Sequence, residues 1–248
     1  MTYQSADHNR QHTLQLFDGE LTHLHVLLLE MTELLMFQLE RAMRALDEGD
    51  VALAENVLSR YKDIKQYKIQ IDTEVLTVLA RYCPVANDLR TIISTSKIAG
   101  ELEKIGYEIT DFAKQVTVLF DPRSSDPNPK LLTDIFKIGH LVKTMLGNLL
   151  IVFTRGETNQ AYILLQHDRE CETQLREGIK HQLYNTMRDA RLIGRALDIM
   201  QILKALEYCG EHCRNIAENT IYMLEGIDVR HRERDRLAQS DYPNPQAV

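Results

Sequence analysis

Asp168 and Glu172 stand four residues apart, and so do Glu207 and Glu211. On a helix that spacing puts both carboxylates of a pair on one face, a turn apart. If the two faces meet, four carboxylates converge. Two like charges about 4 Å apart cost roughly 4 kcal/mol even at an effective dielectric of about 20. Such a quartet must open to water, raise its own pKa values or bind a cation. Oxygen-only ligands favour hard ions such as magnesium, calcium and manganese, and carboxylates also suit iron. The expected chemistry is therefore metal binding by Asp168, Glu172, Glu207 and Glu211 rather than bond-breaking. No Gly-rich phosphate loop, Gly-x-Ser-x-Gly or Cys-x-x-Cys is present, and the chain reads as a non-enzyme.

Acid pairs at this spacing are common on solvated helix faces, but an internal repeat sets these apart. Leu206-Glu207-Tyr208-Cys209-Gly210-Glu211 restates, with edits, Leu102-Glu103-Lys104-Ile105-Gly106-Tyr107, and the offset of 104 continues through Ala113 and Ala217. Setting Gly49 against Gly156 aligns Ala54 with Ala161, Val57 with Leu164 and Leu58 with Leu165. Tyr61 then falls on Asp168, and Lys65 on Glu172. The first-half counterparts of the acid quartet are thus Tyr61, Lys65, Glu103 and Tyr107. Three acids are gone and one replacement is a cation, so the first half cannot assemble the same site. Lys65 is expected to neutralise Glu103 instead.

Helices must carry these positions. Leu21, Leu24, Leu28, Met31 and Leu35 step 3-4-3-4, an amphipathic stripe. Ile98, Leu102, Ile105, Ile109, Phe112, Val116 and Leu119 repeat it, as do Ile199, Ile202, Leu206, Cys209, Cys213 and Ile216. No comparable stretch alternates with period two. Gly49 after Asp47-Glu48 ends the first helix, and Pro84 ends the second by removing a donor and restraining Cys83. Asp121 to Lys130, with three prolines, reads as a linker. Helices resume to Arg155-Gly156, from Thr158 to about Arg188, and from about Asp189 to Gly226. The predicted fold is all-α: two similar antiparallel three-helix bundles at 8–120 and 131–228, a linker at 121–130 and a polar tail at 229–248.

Bulk properties narrow the partners. A net charge of −7 disfavours nucleic acid or an anionic membrane as the main partner. The mixed-sign run Arg230 to Arg236 reads as a solvated tail. No run of 18 apolar residues occurs, the greasiest being His25 to Phe37, and the N-terminus lacks the order of a secretory signal. Four cysteines in so long a chain fit a reducing cytosol.

Three constellations are weaker. Cys209, His212 and Cys213 suggest a soft-metal site, yet both cysteines lie on the apolar seam and read as core. Glu20-x-x-His23 resembles half of the ligand set of ferritin-like di-iron bundles, which need two such motifs and two further glutamates from four helices. Iron oxidation or storage by such a bundle is the alternative function. Arg81, Asp88 and Arg90 bracket the Pro84 turn, as helix-end stabilisers, as a docking surface for a partner, or both.

The chain resembles the PhoU family, accessory regulators of bacterial phosphate uptake. His12, Phe17, Glu20 and Leu21 stand as in the family's opening helix. Arg81-Tyr82-Cys83-Pro84-Val85-Ala86-Asn87-Asp88-Leu89-Arg90 is similar to its Arg-x-x-Pro-x-Ala-x-Asp-Leu-Arg signature. Leu206-Glu207 through Gly210-Glu211, with Asn215-Ile216-Ala217-Glu218, resembles its Leu-Glu-Arg-Ile-Gly-Asp…Asn-Ile-Ala-Glu segment, and Leu102 to Gly106 matches the earlier copy. The resemblance spans roughly residues 8 to 230. It implies two three-helix bundles with Glu/Asp-x-x-x-Asp motifs that bind metal clusters, often iron. It implies a non-enzymatic cytoplasmic homodimer that restrains a phosphate-responsive sensor histidine kinase and touches the ATPase of the phosphate ABC transporter. Tyr61, Lys65 and Tyr107 depart from that pattern, leaving an iron, manganese or magnesium ion expected only in the second bundle.

Overall fold

A computed structural model describes residues 3–121, 129–156 and 158–230. Six long helices follow in order: α1 (Tyr3–Glu48), α2 (Val51–Tyr82), α3 (Ala86–Leu119), α4 (Pro129–Arg155), α5 (Thr158–Arg188) and α6 (Ile193–Glu225), with a 3-10 turn at Ala190–Leu192 before α6. No strand occurs among the described residues. Helix ends fall where the sequence places them. Gly49 adopts φ +66°, and Asp50 caps α2 by accepting from the Leu53 N–H at 2.9 Å. Cys83 before Pro84 is left-handed at φ 46°. Ala86, opening α3, is left-handed too, at φ 50°, an uncommon conformation for a residue with a Cβ. The predicted linker at 121–130 overlaps α4, which begins at Pro129, a residue suited to a helix's first turn. The 3-10 turn has no signature beyond Asp189, whose carboxylate accepts from the Arg191 N–H at 3.1 Å.

α1 to α3 form one bundle and α4 to α6 the other, but they share one continuous apolar core. The most extensive helix pair is α3 on α6, one from each half, and α1 also packs on α4. Gly139 permits that second approach, since a Cβ there would meet Met43 Sδ at 2.9 Å. The outer helices α2 and α5 touch only their own bundles. α3 and α6 run antiparallel. Arg90, near the start of α3, donates to the Met223 carbonyl at the end of α6 at 3.1 Å. Arg195, near the start of α6, donates to the Leu119 carbonyl at the end of α3. Ile105 and Cys209, repeat counterparts, meet between them. The molecule thus has an internal pseudo-two-fold axis, and the α2–α3 and α5–α6 turns lie at opposite ends.

Packing confirms the register of the duplication. A Cβ on Gly106 would meet Ile64 Cδ1 at 2.8 Å, and one on Gly210 would meet Cys171 Sγ at 2.9 Å. These are equivalent pairs under the offsets of 104 for the last helices and 107 for the middle ones. In each bundle a glycine lets the last helix press onto the middle one.

Among the described residues one segment, Leu131–Arg155, is long and apolar enough to cross a bilayer. The greasiest stretch is therefore α4, not His25 to Phe37. Its Ile135, Ile138, Val142, Met145, Leu146 and Leu149 are fully buried, against α1, α5 and α6. Its apolarity fills the shared core.

Candidate functional site

The second bundle brings the predicted acids towards one another across α5 and α6. Asp168 is most affected by burial, which pushes its pKa up; Arg214 opposes that, and Glu207, Glu211 and Glu172 add to it. A carboxylate that feels three others is part of a converging group. The helices position it directly. On α6, Glu207, Glu211, Arg214 and Glu218 step 4-3-4 and form a polar stripe beside the apolar seam of Ile202, Leu206, Cys209 and Cys213. Gly210, within that stripe's span, holds α6 close against Cys171 of α5.

A cation already stands among these acids, and it is a guanidinium. Arg214 Nη1 donates to Asp168 Oδ2 at 3.0 Å. Its Nη2 lies 3.7 Å from Glu211 Oε1, and its Nε lies 3.9 Å from Glu218 Oε1. That Nε is buried and has no hydrogen-bond acceptor. Glu207 accepts from Lys204 at 2.7 Å, and Glu172 from Arg176 at 2.7 Å on the open side of α5. Burial also raises the Glu218 carboxyl, against the pull of Arg214 and Arg230.

The donor set can be tested against the metal that the family resemblance implies. A hard cation needs several carboxylate oxygens free to turn inward. Here Asp168 and Glu211 face Arg214, Glu207 faces Lys204 and Glu172 faces Arg176. Among the described residues no group of three or more His, Cys, Asp or Glu side chains is arranged to hold an ion. The residues as placed do not fit a resident metal.

The first bundle resolves the same position differently. Lys65 does not take Glu103; its Nζ sits 4.7 Å from the centroid of the Tyr61 ring, a cation–π contact. Tyr61 and Tyr107 pack edge to face with centroids 6.3 Å apart. Burial, then Glu103 and Tyr107, raises the Tyr61 hydroxyl. The counterpart of Arg214 is Thr110, whose hydroxyl turns back to the Gly106 carbonyl at 2.7 Å. Where the acids are lost, so is the guanidinium.

The weaker constellations separate. Cys209 and Cys213 are fully buried, and burial raises both thiols far above the ordinary range. His212 turns away from them to Glu101 of α3, at 2.9 Å. Asn215 donates to the same Glu101 oxygen at 3.1 Å, and Lys104 to the other at 2.7 Å. Burial alone would raise Glu101, but these three donors outweigh it and hold the carboxyl at about 2. Glu20, of the ferritin-like motif, pairs with Arg81 at 3.1 Å, and His23 is exposed. Asp88 is exposed in the first turn of α3, whereas Arg90 is engaged as the brace to Met223. Residues 231–236 of the basic run lie outside the described residues.

The i,i+4 acid pairs single out neither the cations Arg214 and Lys204 nor the further carboxylate Glu218. Their signal was present, because Arg214 falls three residues after Glu211 and four before Glu218.

Two helical trios related by an internal two-fold, each with a polar groove between middle and last helix, define a duplicated all-α scaffold. A family model for the PhoU domain matches the chain twice, over residues 28–116 and 135–220. The chain belongs to the PhoU family. It is 35% identical over 226 residues to a "Phosphate-specific transport system accessory protein PhoU homolog" of Pseudomonas putida, covering 91% of this chain and 87% of that one. It is 29% identical over 222 residues to the corresponding accessory protein PhoU of Escherichia coli K12, covering 89% and 90%. The crystal structure of PhoU from Pseudomonas aeruginosa superposes with a TM-score of 0.80 at 34% identity, over 85% of this chain and all (100%) of that one. The phosphate transport system regulatory protein PhoU of Streptococcus pneumoniae gives 0.77 at 25% identity, over 86% and 99%. A role in regulating phosphate transport follows from this membership.

Proposed function

We propose that this chain regulates phosphate uptake and phosphate-starvation signalling in the cytoplasm through protein–protein contacts. Its partners are the ATPase subunit of a phosphate ABC transporter and a sensor histidine kinase. The observation that carries this reading is the family match in both halves, with relatives named as accessory proteins of the phosphate-specific transport system. The surface supports it. Large apolar side chains are exposed near the α2–α3 turn at Leu76, Leu89 and Ile93, and near the α5–α6 turn at Leu183, Ile193 and Leu197. These are repeat counterparts, so the duplication offers the same apolar positions at both ends. α3 has 34 residues, which at 1.5 Å per residue sets those ends about 50 Å apart. Paired exposed apolar residues on rigid helices suit ridge-and-groove recognition by another protein, and such an action breaks no bond.

The test is capture of the purified transporter ATPase and of the kinase's cytoplasmic portion by the full chain. Leu89→Asp with Ile93→Asp, or Ile193→Asp with Leu197→Asp, is expected to abolish capture of at least one partner while circular dichroism stays unchanged. Failure of the unaltered chain to capture either partner overturns the reading.

A further inference from the structure

The second bundle holds a carboxylate cluster and a half-buried arginine at the same spot. We propose that Arg214 stands where a cation would otherwise have to bind, so that the second bundle keeps α5 and α6 in register without a metal ion. Its guanidinium spans the two helices, bonding Asp168 of α5 at 3.0 Å while lying 3.7 Å from Glu211 and 3.9 Å from Glu218 of α6. A planar fork with five donors, charged at every working pH, can face several carboxylates at once. It meets the electrostatic need that a hard divalent ion would meet, at positions fixed by the fold rather than by ion supply.

Three observations point the same way. Lys204 and Arg176 engage the two remaining acids at 2.7 Å each, so no carboxylate of the quartet is left without a protein cation. Arg214 Nε is buried without an acceptor, a cost that only a residue held by its other contacts sustains. The duplication supplies an internal control: the bundle with four acids has Arg214, and the bundle with one has Thr110 at the equivalent place. Charge and countercharge have changed together within one chain.

The consequence is a regulator whose second bundle does not respond to metal availability. Thermal unfolding of the full chain in EDTA and in excess Mn2+ tests this. The melting temperature of the unaltered chain is expected to be the same in both. Arg214→Lys keeps the charge and should stay insensitive to metal. Arg214→Gln strands the carboxylates and should melt roughly 5 °C lower in EDTA. Mn2+ should then recover most of that loss, by binding the native state alone. A chain that loses stability in EDTA and regains it with Mn2+ overturns the proposal. So does an Arg214→Gln variant that melts with the unaltered chain, or one that Mn2+ does not stabilise.

Discussion

The two bundles share a backbone and a packing rule but not a polar site. In both, a glycine of the last helix presses onto the middle helix at the same register, Gly106 on Ile64 and Gly210 on Cys171. In the first, the groove beside that contact holds Tyr61, Tyr107 and Lys65 in ring and cation–π contacts. In the second, it holds carboxylates around Arg214. Packing constrains volume at every position, so the apolar seam survives duplication. A half-solvated groove constrains only net charge and hydrogen bonding, which several residue sets satisfy. The polar site is therefore where the copies have parted.

The core comparison should show the largest effect. Phe112 and Ile216 are repeat counterparts, both fully buried. Phe112→Ala is expected to cost roughly 3–5 kcal/mol and Ile216→Ala roughly 2–5 kcal/mol, with the first the larger because more volume is removed. Urea unfolding midpoints would measure both, and a reversed order would mean the second bundle collapses less readily around a void.

Next come the paired glycines. Gly106→Ala drives a methyl against two carbons of branched Ile64, at 2.8 and 2.9 Å, and should cost about 1–3 kcal/mol. Gly210→Ala meets chiefly the single Cys171 Sγ, which can rotate, and should cost less. Equal losses in urea titrations would deny that distinction.

The braces between bundles are smaller. Arg90→Ala removes the bond to the Met223 carbonyl and should cost about 1 kcal/mol, this side chain being partly solvated. Hydrogen exchange should rise first at the end of α6.

The remaining effect is acid-dependent. Glu101, on the first bundle's α3, is held at about 2 by donors that include His212 and Asn215 of the second. A carboxyl depressed by folding adds stability above its unfolded value near 4.5, and that stability is lost as pH falls from there towards 2. Glu101→Gln should flatten the decline of melting temperature across that window. An unchanged slope would mean the junction contributes nothing.

Most of the architecture was legible because it rests on apolar spacing and backbone chemistry. The stripes in α1, α3 and α6 and the breaks at Gly49 and Pro84 are local signals, and each appears where expected. The shared core was not legible, since nothing local says that α3 prefers α6. The use of α4 as its apolar filler was likewise hidden by Asp134 and the lysines interrupting its run. The quartet's placement on facing helices was readable from i,i+4 spacing plus the repeat. Its neutralisation was not, because it depends on which long cationic side chain reaches across. Arg214 could reach either acids or solvent, and only the crossing of α5 over α6 decides.

The most direct test of the account is anomalous scattering from crystals of the full chain grown with Mn2+. No manganese peak is expected within ligand distance of Asp168, Glu172, Glu207 or Glu211, with the Arg214 guanidinium in density between Asp168 and Glu211. A manganese ion held by those carboxylates, with Arg214 turned away, would contradict it.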